Sequence, residues 1–185
     1  MSDEDEVVTF TDSSEWSYRV AIPAGIITGT RPGSLADRVV TVGSSVGLAV
    51  PNFWLGLMLV LLLAIRHAWF PATGYVPISD SVSGWWAHIV LPAFTLGLAA
   101  AAILTRQLRG AMVDVMDQDY VRTARAKGLP ERAVTVKHAF KNAAIPMVTI
   151  LGVQTNSLLG GTIIVEQIFG MPGIGQLAVA SVFTR

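Results

Sequence analysis

Cysteine is absent from this sequence, which excludes disulfides and thiolate metal sites. Charge is scarce: Asp, Glu, Lys and Arg make up 14% of the 185 residues, against about 25% in a typical soluble domain. The 13 basic and 13 acidic residues cancel, so the chain as a whole lacks the basic excess of a nucleic-acid binder. No GxxxxGK[ST] loop is present to cradle a nucleotide phosphate, and the three histidines lack metal-ligand spacing. Residues 1–19 begin with an acidic stretch that has neither the positive region nor the apolar region of a secretory leader. They read as an acidic, mobile tail.

What the sequence has in abundance is apolar length. Hydrophobic residues make up 52% of it, and the mean hydropathy is +0.55. Three stretches carry no Asp, Glu, Lys or Arg: 39–65, 85–105 and 142–165. Each reaches the roughly 20 residues that a transmembrane helix needs, and only a helix satisfies its own backbone in hydrocarbon. They predict three spans of an all-α, polytopic transmembrane bundle in the cell membrane. Val20–Thr30 is too short to span alone and reads as the tail of a further span. The chain is expected to be incomplete at both ends.

Basic residues mark the cytoplasmic side of short loops. Arg31 and Arg38 precede the first span. Arg106, Arg109, Arg122, Arg125, Lys127, Arg132, Lys137 and Lys141 crowd the loop 106–141 between the second and third. The stretch 66–84 has one arginine and is flanked by Trp69, Tyr75, Trp85 and Trp86, as interfacial aromatics should be. Residues 31–38 and 106–141 are therefore expected inside, and 66–84 and the C-terminal stretch outside.

Within the spans, Pro51 should kink or end the first helix by removing a backbone donor. Asn52 beside it, Gln154 and Asn156 in the third span, and Glu166 just beyond it are polar groups needing partners or a water-lined cavity. They are candidates for a translocation path or gate, though each also suits an ordinary interhelical hydrogen bond or a solvated helix end. A secondary transporter would place an ionisable coupling residue at mid-membrane, and none of the three stretches contains Asp, Glu, Lys or Arg. Gly43–Gly47 formally matches G-x-S-x-G, with Ser45 as nucleophile and His67 or His88 as base. That motif needs a strand-to-helix turn, and here it lies inside a helical run. No catalytic residue is expected.

The charged loop has its own grammar. Met112, Met116, Tyr120 and Ala124 share a spacing of four, one helical face. Asp114 and Asp117 precede Arg125 and Lys127, which suits the helix dipole. Gly128 can take the left-handed conformation that stops a helix, Pro130 fits the first turn of the next, and Glu131 adds favourable charge there. Two short helices joined by a bend are expected, the second running to a turn at Pro146. A protein-docking elbow and a lipid-bound amphipathic helix both suit this pattern.

Four segments together resemble one family. They are "PNFWLGLMLVLLL" at 51–63, "LPAFTLGL" at 91–98, "DYVRTARAKG" with "HAFKNAAIP" at 119–128 and 138–146, and "LLGGTIIVEQIFGMPGIGQL" at 158–177. They look like the permease subunits of ATP-binding-cassette importers (type I), in the dipeptide, oligopeptide and nickel branch. The likeness covers about residues 20–185. It implies that 119–146 docks on a separate cytoplasmic ATPase subunit, with Tyr120, Arg122, Thr123, Ala124, Arg125, Lys127, Gly128 and Glu131 as the coupling residues. Ala124 and Gly128 match the small residues of the family's motif. Arg122 stands at its usual glutamate and Thr123 at its first alanine, as in the peptide branch. Arg125 and Lys127 would face acids on the ATPase. The resemblance also implies a second permease subunit, an extracellular or periplasmic solute-binding protein, and ATP consumed by the partner, with no cofactor or metal on this chain. The function implied is part of a path for peptides or similar small solutes. A non-catalytic scaffold or inactive permease remnant is the alternative.

Overall fold

The computed structural model describes the backbone of residues 3–173 and of 175, 177, 181 and 182, and the side chains among these except 3–14 and 153–162. Among the described residues the regular structure is entirely helical. Seven α-helices run α1 (Asp3–Thr30), α2 (Leu35–Ala49), α3 (Asn52–Leu59), α4 (Val82–Met116), α5 (Asp119–Ala126), α6 (Glu131–Ala133) and α7 (Lys141–Phe169). Two π-helical stretches, Val60–Arg66 and Val134–Phe140, extend α3 and join α6 to α7.

Several expectations are corrected. The acidic start and the apolar piece after it belong to one helix, α1, from Asp3 to Thr30. The predicted first span, 39–65, is two helices. Pro51 has no N–H to give, adopts an extended conformation (ψ 138°) as the N-cap of α3, and accepts from Leu55 N at 3.0 Å. Pro146 ends nothing, since α7 continues through it. Among the described residues one helix, α4, is long and apolar enough to cross a membrane, or two if α2 and α3 with its π-helical extension count together.

The chain divides into two compact units, each with its own apolar core. One comprises Met1–Ser17, Ala49–Ala99 and Thr155–Arg185. Trp85, Ile89, Leu91 and Leu96 of α4 pack there with Val165 and Phe169 of α7 and Met171. In the same unit the Trp16 indole stacks on Phe94 at 5.5 Å, and its Nε1 donates to the Ala93 carbonyl at 3.2 Å. The indole thereby sits over Gly97, where any Cβ would collide with it.

The second unit, Tyr18–Leu48 with Ala100–Gln154, holds the charged loop. Its core is a seam of three helices. Ala21 from α1, Leu104, Leu108 and Met112 from α4, and Ala143 and Met147 from α7 are buried together with Ala139. The α1–α4 contact is close because Gly25 and Gly29 lie one turn apart, the small-xxx-small spacing that lets helices approach. A Cβ on Gly25 would come within 2.8 Å of Leu108 Cβ.

Candidate functional site

The charged loop folds as an elbow, and its register begins with a break. α4 stops at Met116, and Gln118 turns extended (ψ 147°) before α5. The Gln118 carbonyl accepts from Val121 N at 3.0 Å and Arg122 N at 3.2 Å. This break overturns the expected face of Met112, Met116, Tyr120 and Ala124, since no single helix carries all four. Met112 is buried in the three-helix seam, while α5 buries Val121 and Ala124. Those two pack with Val134, against Val115 and Met116 of the last turn of α4. Tyr120 is instead 42% exposed. Its hydroxyl oxygen accepts from Asn142 Nδ2 at 2.8 Å, which ties α5 to the start of α7.

The bend itself is closed by backbone geometry. Gly128 has φ 77°. Its N–H donates to the Arg125 carbonyl at 2.9 Å, and Leu129 N to the Ala124 carbonyl at 3.4 Å. These are the paired bonds of a Schellman termination, which needs a left-handed residue after the C-cap. Pro130 then caps the next helix rather than opening its first turn, and its carbonyl accepts from Ala133 N at 2.8 Å.

Arg125 was expected to reach an acid on a partner. It is already engaged: Nη2 donates to Glu131 Oε1 at 2.7 Å and Nε to Glu131 Oε2 at 3.2 Å. This two-pronged pair spans the bend and braces it. The hydrogen bond from Arg125 holds the Glu131 carboxyl below its ordinary value of 4.5. A lowered folded-state value means stability that is present above the ordinary range and lost as pH falls through it. The elbow should therefore loosen as pH falls below about 4.5, an effect that Glu131→Gln removes. Amide exchange at Leu129 as a function of pH reads this directly. Both side chains are partly exposed, so the effect is small.

The remaining elbow residues face outward. Arg122 lies 3.7 Å from Asp119 with both side chains largely exposed, and Lys127 is exposed. Thr123 Oγ1 donates to the Asp119 carbonyl at 2.8 Å. Leu129 and Val136 are 40% and 51% exposed. The elbow thus presents cations and aliphatic side chains on a braced turn.

The path candidates are placed differently. Asn52 is the half-buried first residue of α3. Glu166 is drawn back onto its own chain: α7 ends with Gly170 at φ 62°, Met171 N donates to the Glu166 carbonyl at 3.0 Å, and Gly175 N donates to its Oε1 at 3.3 Å. The side chains of Gln154 and Asn156 lie outside the described residues. Ser45 sits within α2 and donates to the Thr41 carbonyl at 2.9 Å, so its G-x-S-x-G match forms no nucleophile turn.

One charged pair was not anticipated. Asp37 accepts from Nε of Arg109, and from its Nη2 at 2.8 Å. Gly33 N donates to the same carboxylate at 2.7 Å, and Thr41 Oγ1 at 3.3 Å. Only 5% of the Asp37 side chain is exposed. The spacing Ser34-x-x-Asp37, with the Ser34 hydroxyl accepting from Asp37 N at 3.2 Å, is close to a capping box. That spacing was the one available sequence signal for the helix start, but it says nothing of Arg109.

Residues 21–185 match the family described as "Binding-protein-dependent transport system inner membrane component". The chain is 45% identical over 168 residues to the oligopeptide transport system permease protein AppB of Bacillus subtilis (strain 168), covering 90% of this chain and 53% of that one. It is 41% identical over 173 residues to the glutathione transport system permease protein GsiC of Escherichia coli (strain K12), covering 94% and 54%. It is also 41% identical to a putative peptide transport system permease protein of Brucella suis biovar 1 (strain 1330), covering 91% and 55%. The chain spans about half the length of these curated relatives. With the match extending over nearly all of its residues, an all-helical architecture and apolar spans, the chain belongs to the family of binding-protein-dependent transport system inner membrane components.

Proposed function

We propose that this chain contributes the membrane-spanning part of an importer for peptides or similar small solutes, driven by a separate cytoplasmic ATPase that docks on the elbow at 119–146. A second permease subunit and an extracellular or periplasmic binding protein complete the assembly. Relatives named for oligopeptide and glutathione transport support the solute class. The observation that carries the ATPase contact is the elbow's build. Val121, Ala124 and Val134 anchor it inward. Gly128 and the Arg125–Glu131 pair hold its angle, and Arg122, Lys127, Leu129 and Val136 remain available outside. A preorganised surface binds without a further ordering cost. Glu131 orders the bend, and Arg122 and Lys127 are exposed cations placed to meet acids on the partner.

Gly128 offers the test. At φ 77° a β-branched residue is a strong outlier, whereas Asn tolerates the left-handed region. Gly128→Val is expected to weaken ATPase retention about tenfold or more, equivalent to roughly 1.4 kcal/mol, and Gly128→Asn to retain most of it. Co-purification of the ATPase subunits with the chain from native membranes measures both. Unchanged retention with Gly128→Val sinks the docking assignment.

A further inference from the structure

α2 is tied into its unit by a polar contact. Its buried residues are Asp37, Ser44 and Gly47, so it buries no large apolar side chain. Leu35, Val39, Val42 and Val46 are 79%, 71%, 63% and 57% exposed. Such a face suits a helix in hydrocarbon, where lipid tails are as apolar as the side chains they meet. Here the described tie between α2 and α4 is polar, the two-pronged bond from Arg109 to Asp37.

The place of Arg109 on α4 gives that tie its meaning. Three residues on, Met112 is buried in the three-helix seam. Six and seven residues on, Val115 and Met116 lie beneath the elbow's own core. Seven residues of helix are about 10 Å of rigid rod. One end of that rod meets the elbow, and about two turns away it grips α2. The grip is also fixed in direction. Two parallel N–H···O bonds set the guanidinium in the carboxylate plane. Gly33 N and Thr41 Oγ1 occupy further acceptor sites of the carboxylate, so it cannot swivel independently of the α1–α2 turn. For stability alone, a packed apolar pair would serve as well as a buried ion pair, or better. What the ion pair adds is a directional link.

We propose that Asp37 and Arg109 are positioning residues for transport: the pair is a pin that hands displacement of the elbow, through the last two turns of α4, to α2. The inference rests on the elbow being driven by an ATPase, as proposed above. A merely structural pair predicts that any replacement restoring stability restores function. The pin predicts that it does not.

This sequence has no cysteine, so each introduced thiol is the only one in it, and labelling is read on this chain's own gel band. Ala36→Cys reports on the exposed first turn of α2, and Ala126→Cys on the exposed end of α5 in the elbow. Inside-out vesicles from cells that make the chain with its partner subunits are treated with a membrane-impermeant maleimide, with ATP and vanadate or without nucleotide. With the native pair, nucleotide should change both labelling rates by about fivefold or more, the low end of ordinary coupling between sites. In the background Asp37→Leu/Arg109→Met, which substitutes an apolar pair, the response at Ala126→Cys should persist and that at Ala36→Cys should vanish. Should that double variant fail to accumulate, Asp37→Asn is read in the same way. A nucleotide response at Ala36→Cys that survives in either background overturns the pin. Absence of any response at Ala126→Cys in the native background instead overturns the ATPase-docking proposal, so the two failures are distinguishable.

Discussion

Arg109→Ala is expected to lower the unfolding free energy by about 1–3 kcal/mol, the cost of leaving a buried polar group without its partner, at a pair whose arginine side chain is 31% exposed. The Asp37 carboxylate is 5% exposed and would keep only the Gly33 and Thr41 donors. Neither donor carries charge. An uncompensated anion away from water is costly enough that the group would take up a proton or the α1–α2 turn would open. Asp37→Ala should cost less than Arg109→Ala. Arg109 is 31% exposed in its side chain, so its freed guanidinium can reach water. Asp37→Leu/Arg109→Met should recover most of the loss, because neither charge then remains buried. SDS-induced unfolding in mixed micelles, followed by tryptophan fluorescence, gives the three free energies. A loss below about 1 kcal/mol for Arg109→Ala would place the pair among exposed ion pairs and refute its burial.

The second large effect is expected at the α1–α4 seam. A Cβ on Gly29 would overlap Met112 Cβ and lie 3.1 Å from the Arg109 carbonyl oxygen. The first obstacle is the root of a buried side chain and the second is backbone, so neither can swing aside as a flexible chain end would. Gly29→Leu should destabilise by about 1–3 kcal/mol or more, the range for overpacking, by driving α1 off α4. Gly110 is the matched control on the other helix, where an added Cβ meets nothing within 4 Å. Gly110→Ala should therefore be neutral or stabilise by up to about 1 kcal/mol through helix propensity. The same unfolding measurement compares the two. Equal effects at Gly29 and Gly110 would mean that propensity alone is at work and that α1 and α4 do not pack closely.

Asp37 also shows why stability and coupling need separate readouts. Arg109→Ala disturbs both, since it removes the directional bond and leaves a buried charge. The apolar pair separates them, because it removes the bond without leaving a charge.

The elbow was largely legible in the sequence because its determinants are local. Gly128 tolerates the left-handed region that a Schellman termination needs, and Pro130 and Glu131 begin a helix by rules that act over a few residues. The apolar stretch 85–105, which lies within α4, was legible for a related reason. The cost of burying an unpaired backbone group in hydrocarbon depends on length and composition, both of which are additive along a chain. Where the reading went astray, a register was involved. A spacing of four across Met112, Met116, Tyr120 and Ala124 looks like a continuous face, yet the single extended residue Gln118 resets the phase and substitutes Val121 for Tyr120 on the buried side.

Composition, apolar run lengths and near-neighbour turn chemistry thus determined by themselves that the chain is helical, membrane-seeking and bent at Gly128. Only the tertiary structure decided which distant charges meet: Arg109 finds Asp37 across 72 positions of chain. Such pairs depend on how helices are brought alongside one another. Many distant residues contribute to that arrangement, and no short window of sequence contains it.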